Sequence, residues 1–203
     1  MRECKNKWER RCSLTPKEVK VLVEHGIKVI VQPSTTRCYT EEEFEEVGAV
    51  IQEDVSQAQV LFGVKEVPIP NLMDNKTYFM FSHIIKAQGY NMPLLDKFLE
   101  KKVRLIDFEC IRENKEKDPQ RLVAFGRYAG IAGAFDFIRG CGEFLLQKKY
   151  QTPLVFLGSA YMYEDFEAMK DALSRVAKNI EKGGLPKAIS PLVFAVTGTG
   201  RVS

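Results

Sequence analysis

No apolar run in this 203-residue chain approaches the ~18 residues that a membrane span requires. The first residues, MRECKNKWERR, lack the apolar core of a secretory signal and carry acidic residues that a mitochondrial presequence avoids. The five cysteines, Cys4, Cys12, Cys38, Cys110 and Cys141, are odd in number and contain no CxxC pair, so free thiols in a reducing compartment are expected and a zinc site is not. Charge of one sign is also lacking. With 30 basic against 27 acidic residues the net charge is +3 and the signs are mixed along the chain, which argues against nucleic acid or a membrane surface as partner. What is present is 45% hydrophobic residues, enough for one large domain or for one domain with part of another.

Helices and apolar strands alternate. Thr15, Pro16 and Glu18 form a capped helix start and Gly26 a stop, so a helix is expected from about Pro16 to His25. IKVIVQ follows as a strand, Thr40, Glu43 and Gly48 bracket a short acidic helix, and AVIQE is another strand. Residues 54–59 offer one helical turn. VLFGV, YFMFS and RLIDF are three further apolar runs of strand length, with a helix over 91–101 between the last two. A polar hairpin or surface excursion is expected over 111–120, a strand at RLVAF, a long helix rich in small residues (Gly130, Gly133, Ala134) after it, a strand at PLVFLGS, and a helix over 163–182 with Phe166, Met169, Leu173 and Val176 along one side. The linker KGGLPKAISP precedes a last apolar run, LVFAV, which enters Gly198-x-Gly200-x-x-Ser203 like the opening of a dinucleotide-binding βα turn. The pattern predicts an α/β, Rossmann-like (flavodoxin-like) fold: a mostly parallel sheet with helices on both faces, plus the first strand of a second, dinucleotide-binding domain. Boundaries are expected at 1–150 for the substrate domain, 151–190 for a connecting strand and helix, and 191–203 for the start of the nucleotide domain.

The chemistry concentrates at strand ends. Lys65 stands just past VLFGV and His83 closes YFMFS, with Lys86 three residues on, while RLIDF ends on Asp107 and Glu109. In an open parallel sheet ligands bind outside the carboxyl ends of the strands, so these groups are aimed at one crevice as an acid/base set. Asp107 and Glu109 could instead cap the turn that follows. Arg121, before RLVAF, could clamp a carboxylate with two parallel hydrogen bonds or form a surface ion pair.

The stretches ERRCSLTP, GVKEVP, FSHIIKAQ, LIDFE, AFGRYAG and TGTGRVS, spread over nearly the whole chain, closely resemble the lysine-ketoglutarate reductase half of animal alpha-aminoadipic semialdehyde synthase, and more distantly the saccharopine dehydrogenases and alanine dehydrogenases. The resemblance implies reductive condensation of L-lysine with 2-oxoglutarate to saccharopine, with NADPH as reductant. It implies catalytic roles for Lys65, His83 and Glu109, substrate contacts from Arg11, Lys86, Arg121 and Phe125, and cofactor contacts from Gly198, Gly200 and Ser203. No metal, nucleic acid or membrane is implied. A homo-oligomer of the full-length enzyme and a mitochondrial matrix location are, with a cytoplasmic one as alternative. The chain then reads as the N-terminal part of a longer enzyme, inactive alone. A non-catalytic binding module of the same family, and an alanine dehydrogenase or transhydrogenase relative, are the alternatives. Where relatives are expected to carry histidine after PLVFLG this chain has SAYMYED, and no role is transferred there.

Overall fold

A computed structural model describes residues 1–2, 6–117, 119–200 and 202. The chain forms two compact units, Met1–Ala124 and Phe125–Ser203.

In the first unit α1 (Pro16–Glu24) begins where the sequence predicts, the Thr15 N–H donating to the Glu18 carboxylate at 3.0 Å. Gly26, at φ +77°, lets the chain turn out of it. α2 (Glu41–Glu45) has the reciprocal cap, Thr40 N–H to Glu43 at 2.7 Å and Glu43 N–H to the Thr40 hydroxyl at 3.3 Å. These helices pack on a two-stranded parallel sheet, β1 (Ile30–Val31) beside β2 (Val50–Ile51), around Val19, Phe44 and Ala49. The turn of helix expected over 54–59 is instead a tight turn in which the Asp54 carboxylate accepts from the N–H and the hydroxyl of Ser56.

A second parallel sheet runs in the order β3 (Val60–Phe62), β4 (Thr77–Met80), β5 (Arg104–Asp107). Tyr78 and Met80, alternate residues of β4, are fully buried with Leu61, Leu94 and Phe98, the last two from α3 (Met92–Glu100). Burying side chains of this size contributes about 1.5–3 kcal/mol each, which holds the sheet flat against α3. On the opposite face Phe62 stacks on Phe79 with centroids 4.6 Å apart. The ladder runs past the strands proper, Gly63 N–H to Phe79 C=O at 2.9 Å and Phe81 N–H to Val64 C=O at 3.1 Å, so the residues that follow leave from a rigid edge. The parallel α/β expectation holds, with two short parallel sheets in place of one.

The polar excursion is a hairpin closed by Glu113 N–H to Gln120 C=O and Leu122 N–H to Ile111 C=O, both 2.9 Å. The strand predicted at RLVAF is not formed. Arg121 makes one isolated antiparallel bridge to Arg112, and among the described residues no strand forms over the run.

The second unit is built on α4 (Gly126–Gln147) and α5 (Phe166–Gly183), the latter capped by Asp165 accepting from Ala168 N–H at 2.8 Å. PLVFLGS is not a strand. Pro153–Phe156 is a single 3-10 turn whose Leu154 packs under Gly142 of α4, in a core with Phe135, Met169 and Val176. Its apolar residues serve helix packing, and no strand among the described residues of this unit could pair with it. The strand expected at LVFAV is likewise unpaired, its Val196 81% exposed. Phe166, expected in line with Met169, Leu173 and Val176, is 45% exposed, whereas Met169 and Val176 are buried.

Candidate functional site

The carboxyl ends of β3, β4 and β5 deliver three segments to one edge. Lys65 follows β3, and its ammonium stands 3.5 Å from His83 Nε2 and 5.7 Å from the centre of the Phe81 ring. Beside it opens a small cavity of about 130 Å³, lined also by Glu66, Glu53 and Gln32. His83 itself adopts φ +55° and Ala87 φ +50°, left-handed conformations that only a few per cent of non-glycine residues adopt. The 3-10 turn Ile84–Lys86 between them folds Lys86 back, so that its Nζ lies 3.1 Å from His83 Nδ1. Such strain persists where surrounding contacts over-determine it.

Those contacts are Asp107 and Asn91. Asp107, the last residue of β5, accepts from the Ser82 N–H at 3.3 Å, from the Ser82 hydroxyl, and from the Glu109 N–H at 2.9 Å. It ties the end of β4 to the turn after β5, which is the capping role left open for it. The Asn91 amide donates to the Ser82 carbonyl at 2.9 Å and to Glu66 at 3.3 Å. All five residues, Glu66, Ser82, Asn91, Asp107 and Glu109, are buried.

Glu109 is held at the centre of the cluster, 6% exposed. Its Oε1 accepts from Arg121 Nη1 at 3.0 Å and lies 3.3 Å from Lys86 Nζ. Its Oε2 lies 3.4 Å from His83 Nδ1 but has no hydrogen-bond partner. A buried acceptor without a donor is costly, and a proton on His83 Nδ1 is the group best placed to relieve it. The ring therefore has two useful states. With the proton on Nδ1, it faces Glu109 while Nε2 accepts from Lys65; with the proton on Nε2, Nδ1 accepts from Lys86. A proton can thus pass between Lys65 and the ring with a cation or a carboxylate ready to answer on the other side.

Arg11 is held by Glu9, which takes Nε at 2.7 Å and Nη2 at 2.6 Å. Burial works against the charge on Glu9, but the Arg11 hydrogen bonds, its charge and that of Lys65 outweigh it and hold this carboxyl below its ordinary range. The sequence reading missed Glu9, although the spacing in ERR offered a carboxylate two residues before the guanidinium, and it missed Asn91. Lys65, His83, Lys86, Glu109 and Arg121 come together in the first unit, with Arg11 on Glu9 near Lys65. Phe125 belongs to the second unit, where it meets Tyr128 at 5.5 Å. Gly198 has φ +98° and a side chain at Gly200 would meet nothing within 4 Å, but neither strand nor helix flanks them among the described residues, and Ser203 lies outside those residues. The described residues thus form no cradle that fits a dinucleotide. They also hold no group of metal-ligating side chains, and no helix among them is long and apolar enough to cross a membrane.

Parallel strands feeding an acid/base cluster at their carboxyl edge define an α/β, Rossmann-like domain of the kind that binds small substrates. The chain belongs to the family of the alanine dehydrogenase/PNT N-terminal domain, whose model matches residues 1–132. It is 42% identical over 202 residues to the mitochondrial alpha-aminoadipic semialdehyde synthase of Rattus norvegicus, covering all of this chain and 22% of that protein. It is 42% identical over 207 residues to the Arabidopsis thaliana alpha-aminoadipic semialdehyde synthase, covering 99% of this chain and 19% of that one. The lysine-forming, NAD(+) saccharopine dehydrogenase of Yarrowia lipolytica is 31% identical over 198 residues, 95% of this chain and 51% of the enzyme. The chain therefore spans about a fifth of the length of the synthases it matches. A transhydrogenase structure from Sinorhizobium meliloti superposes with a TM-score of 0.54 at 16% identity, over 68% of this chain and 42% of that one, and shares the fold.

Proposed function

We propose that this chain is the substrate-binding part of a lysine-ketoglutarate reductase, which joins the ε-amine of L-lysine to the ketone of 2-oxoglutarate and reduces the product to saccharopine. The observation that carries the reading is the approach of Lys65 to His83 at 3.5 Å beside a buried Glu109. Amine and ketone form a carbinolamine that loses water to an imine, and each step moves a proton on and off oxygen or nitrogen. His83 takes the proton from the attacking amine as Lys65 donates to the ketone oxygen; His83 then returns that proton to Lys65, which donates it to the departing water. Glu109 keeps the cations of Lys86 and Arg121 in register, and Arg11 and Arg121 present guanidinium edges to the substrate carboxylates. The reduction by hydride from NADPH belongs to a dinucleotide site that the described residues do not form, and Gly198, Gly200 and Ser203 are its proposed first residues. On this reading the substrate domain covers 1–150, 151–190 connects, and 191–203 opens the nucleotide domain. The names of the mammalian relatives, which say mitochondrial, support a mitochondrial location, and the matrix is the compartment proposed within it.

The test is a chimera in which this chain replaces the equivalent segment of a saccharopine-forming relative. NADPH oxidation dependent on both lysine and 2-oxoglutarate is expected. A folded chimera that reduced pyruvate with ammonia instead would overturn the assignment in favour of an alanine dehydrogenase.

A further inference from the structure

Within the first unit β1 and β3 each pair along one edge only, β1 with β2 and β3 with β4. Successive backbone groups of a strand point to opposite edges. Val29 and Val31 give their carbonyls to the N–H groups of Val50 and Gln52 beside β1, while Gln59 accepts from Thr77 N–H and Gly63 donates to Phe79 beside β3. Ile30, Val60 and Phe62 therefore turn their backbone groups to the other edge, where no described strand pairs with them. Between these edges lies an apolar cavity of about 380 Å³, lined by Ile30 and Val31, by Val60, Leu61 and Phe62, and by Val19 of α1. None of the described residues on its walls is acidic. At its carboxyl end the Met1 ammonium donates to the Phe62 carbonyl at 2.7 Å and the Arg2 N–H to the Gln32 side chain at 3.2 Å, so main chain already sits between the ends of the two strands. What fills the rest must be apolar and must bring backbone donors and acceptors to both walls, which is the description of a β-strand.

The second unit carries such a segment unused. LVFAV, residues 192–196, belongs to no helix or strand; Leu192 packs on the unit's core and Phe194 meets Phe137 edge-on at 6.2 Å, but Val193 and Val196 are 77% and 81% exposed. An uninterrupted apolar run of this length is what a parallel strand covered on both faces carries, and left exposed it invites pairing with another chain. We propose that this run of a second copy of the chain enters the slot between β1 and β3, parallel to both, and joins the two sheets into one of order β2-β1-insert-β3-β4-β5. Two copies exchange the run reciprocally, which closes the assembly as a dimer. The same run is proposed above to open a nucleotide domain; the exchange rests on the slot and not on that reading, and its failure leaves the keto-acid site untouched.

Sedimentation velocity of the folded chain at rising concentration, with hydrogen exchange read by mass spectrometry, tests the exchange. A monomer–dimer equilibrium is expected, in which segments 28–32, 59–63 and 192–196 gain protection together as the dimer forms. Residues three apart in a strand point to opposite faces, so Val193→Lys combined with Val196→Lys charges both faces of the run and should weaken the dimer by roughly tenfold or more, with circular dichroism unchanged. Val60→Lys, at an exposed position of the receiving edge, should weaken it alike. A mixture of the two variants keeps one intact run and one intact slot, and should associate more tightly than either variant alone. A chain that stays monomeric, a dimer that neither change weakens, or a mixture no tighter than its parts would overturn the proposal. So would protection of 28–32 and 59–63 that is independent of concentration, which would give the slot to a segment of the same chain.

Discussion

At the scale of single residues, Glu109 sets the electrostatics of the cluster. One buried carboxylate answers two cationic side chains that are themselves part-exposed, so its loss is softened by water around Lys86 and Arg121. Glu109→Gln should cost about 1–2 kcal/mol, read from the urea midpoint, well below the 3–5 kcal/mol typical of breaking a fully buried pair. Lys65→Met and His83→Gln should each lower kcat of the chimera by roughly 10²-fold or more, the scale of general acid/base catalysis. Near-normal turnover with only binding altered would remove both from the chemistry. Glu9 gives a pH signature. Its carboxyl lies lower in the folded chain than its ordinary 4.5, so the unfolded state binds the proton first as the pH falls. The stability it confers is complete above that value and is lost as pH falls through the folded value. Urea midpoints measured from pH 7 to pH 3 should decline more steeply for the wild type than for Glu9→Gln. Parallel curves would detach Glu9 from Arg11 and Lys65.

At the scale of elements, the capped helices were legible because Thr15, Pro16 and Glu18, like Thr40 and Glu43, hold their signals within four residues. The strand ends were legible for a similar reason, since Lys65, His83 and Glu109 each follow an apolar run directly. What the sequence does not announce is the left-handed turn at His83 and Ala87, made without glycine and held by Ser82, Asp107 and Asn91 from three elements. Nor does an apolar run say what will pair with it. PLVF and LVFAV carry strand composition, but a strand needs a neighbour, and Pro153 lacks a backbone donor as well. The small residues of α4 divide in the same way. Gly133 faces open space, whereas at Gly142 an added Cβ would lie 2.7 Å from Leu154 Cβ and 2.8 Å from backbone atoms of Leu154 and Val155. Alanine favours a helix over glycine by about 1 kcal/mol. Gly133→Ala should therefore stabilise the chain by up to about 1 kcal/mol, while Gly142→Ala should destabilise it by about 1–3 kcal/mol, because backbone cannot step aside as a side chain can. Equal urea midpoints for the two variants would contradict the packing of the 153–156 turn on α4.

At the scale of the whole molecule, the cluster at the strand ends is formed while the described residues build no dinucleotide cradle. The chain alone should bind substrate without turning it over, and sustained NADPH oxidation by the purified chain with lysine and 2-oxoglutarate would contradict that division. The most direct measurement is calorimetric titration of the folded chain, checked by circular dichroism, with 2-oxoglutarate, beside the same titration of Arg121→Ala. Saturable binding to the wild type is expected, with a loss of about ten- to a hundredfold in affinity for the variant, the value of a charge-assisted hydrogen bond of about 1.5–3 kcal/mol. A folded wild-type chain that takes up no 2-oxoglutarate, or a variant that binds it equally well, would contradict the claim that this edge is a keto-acid site.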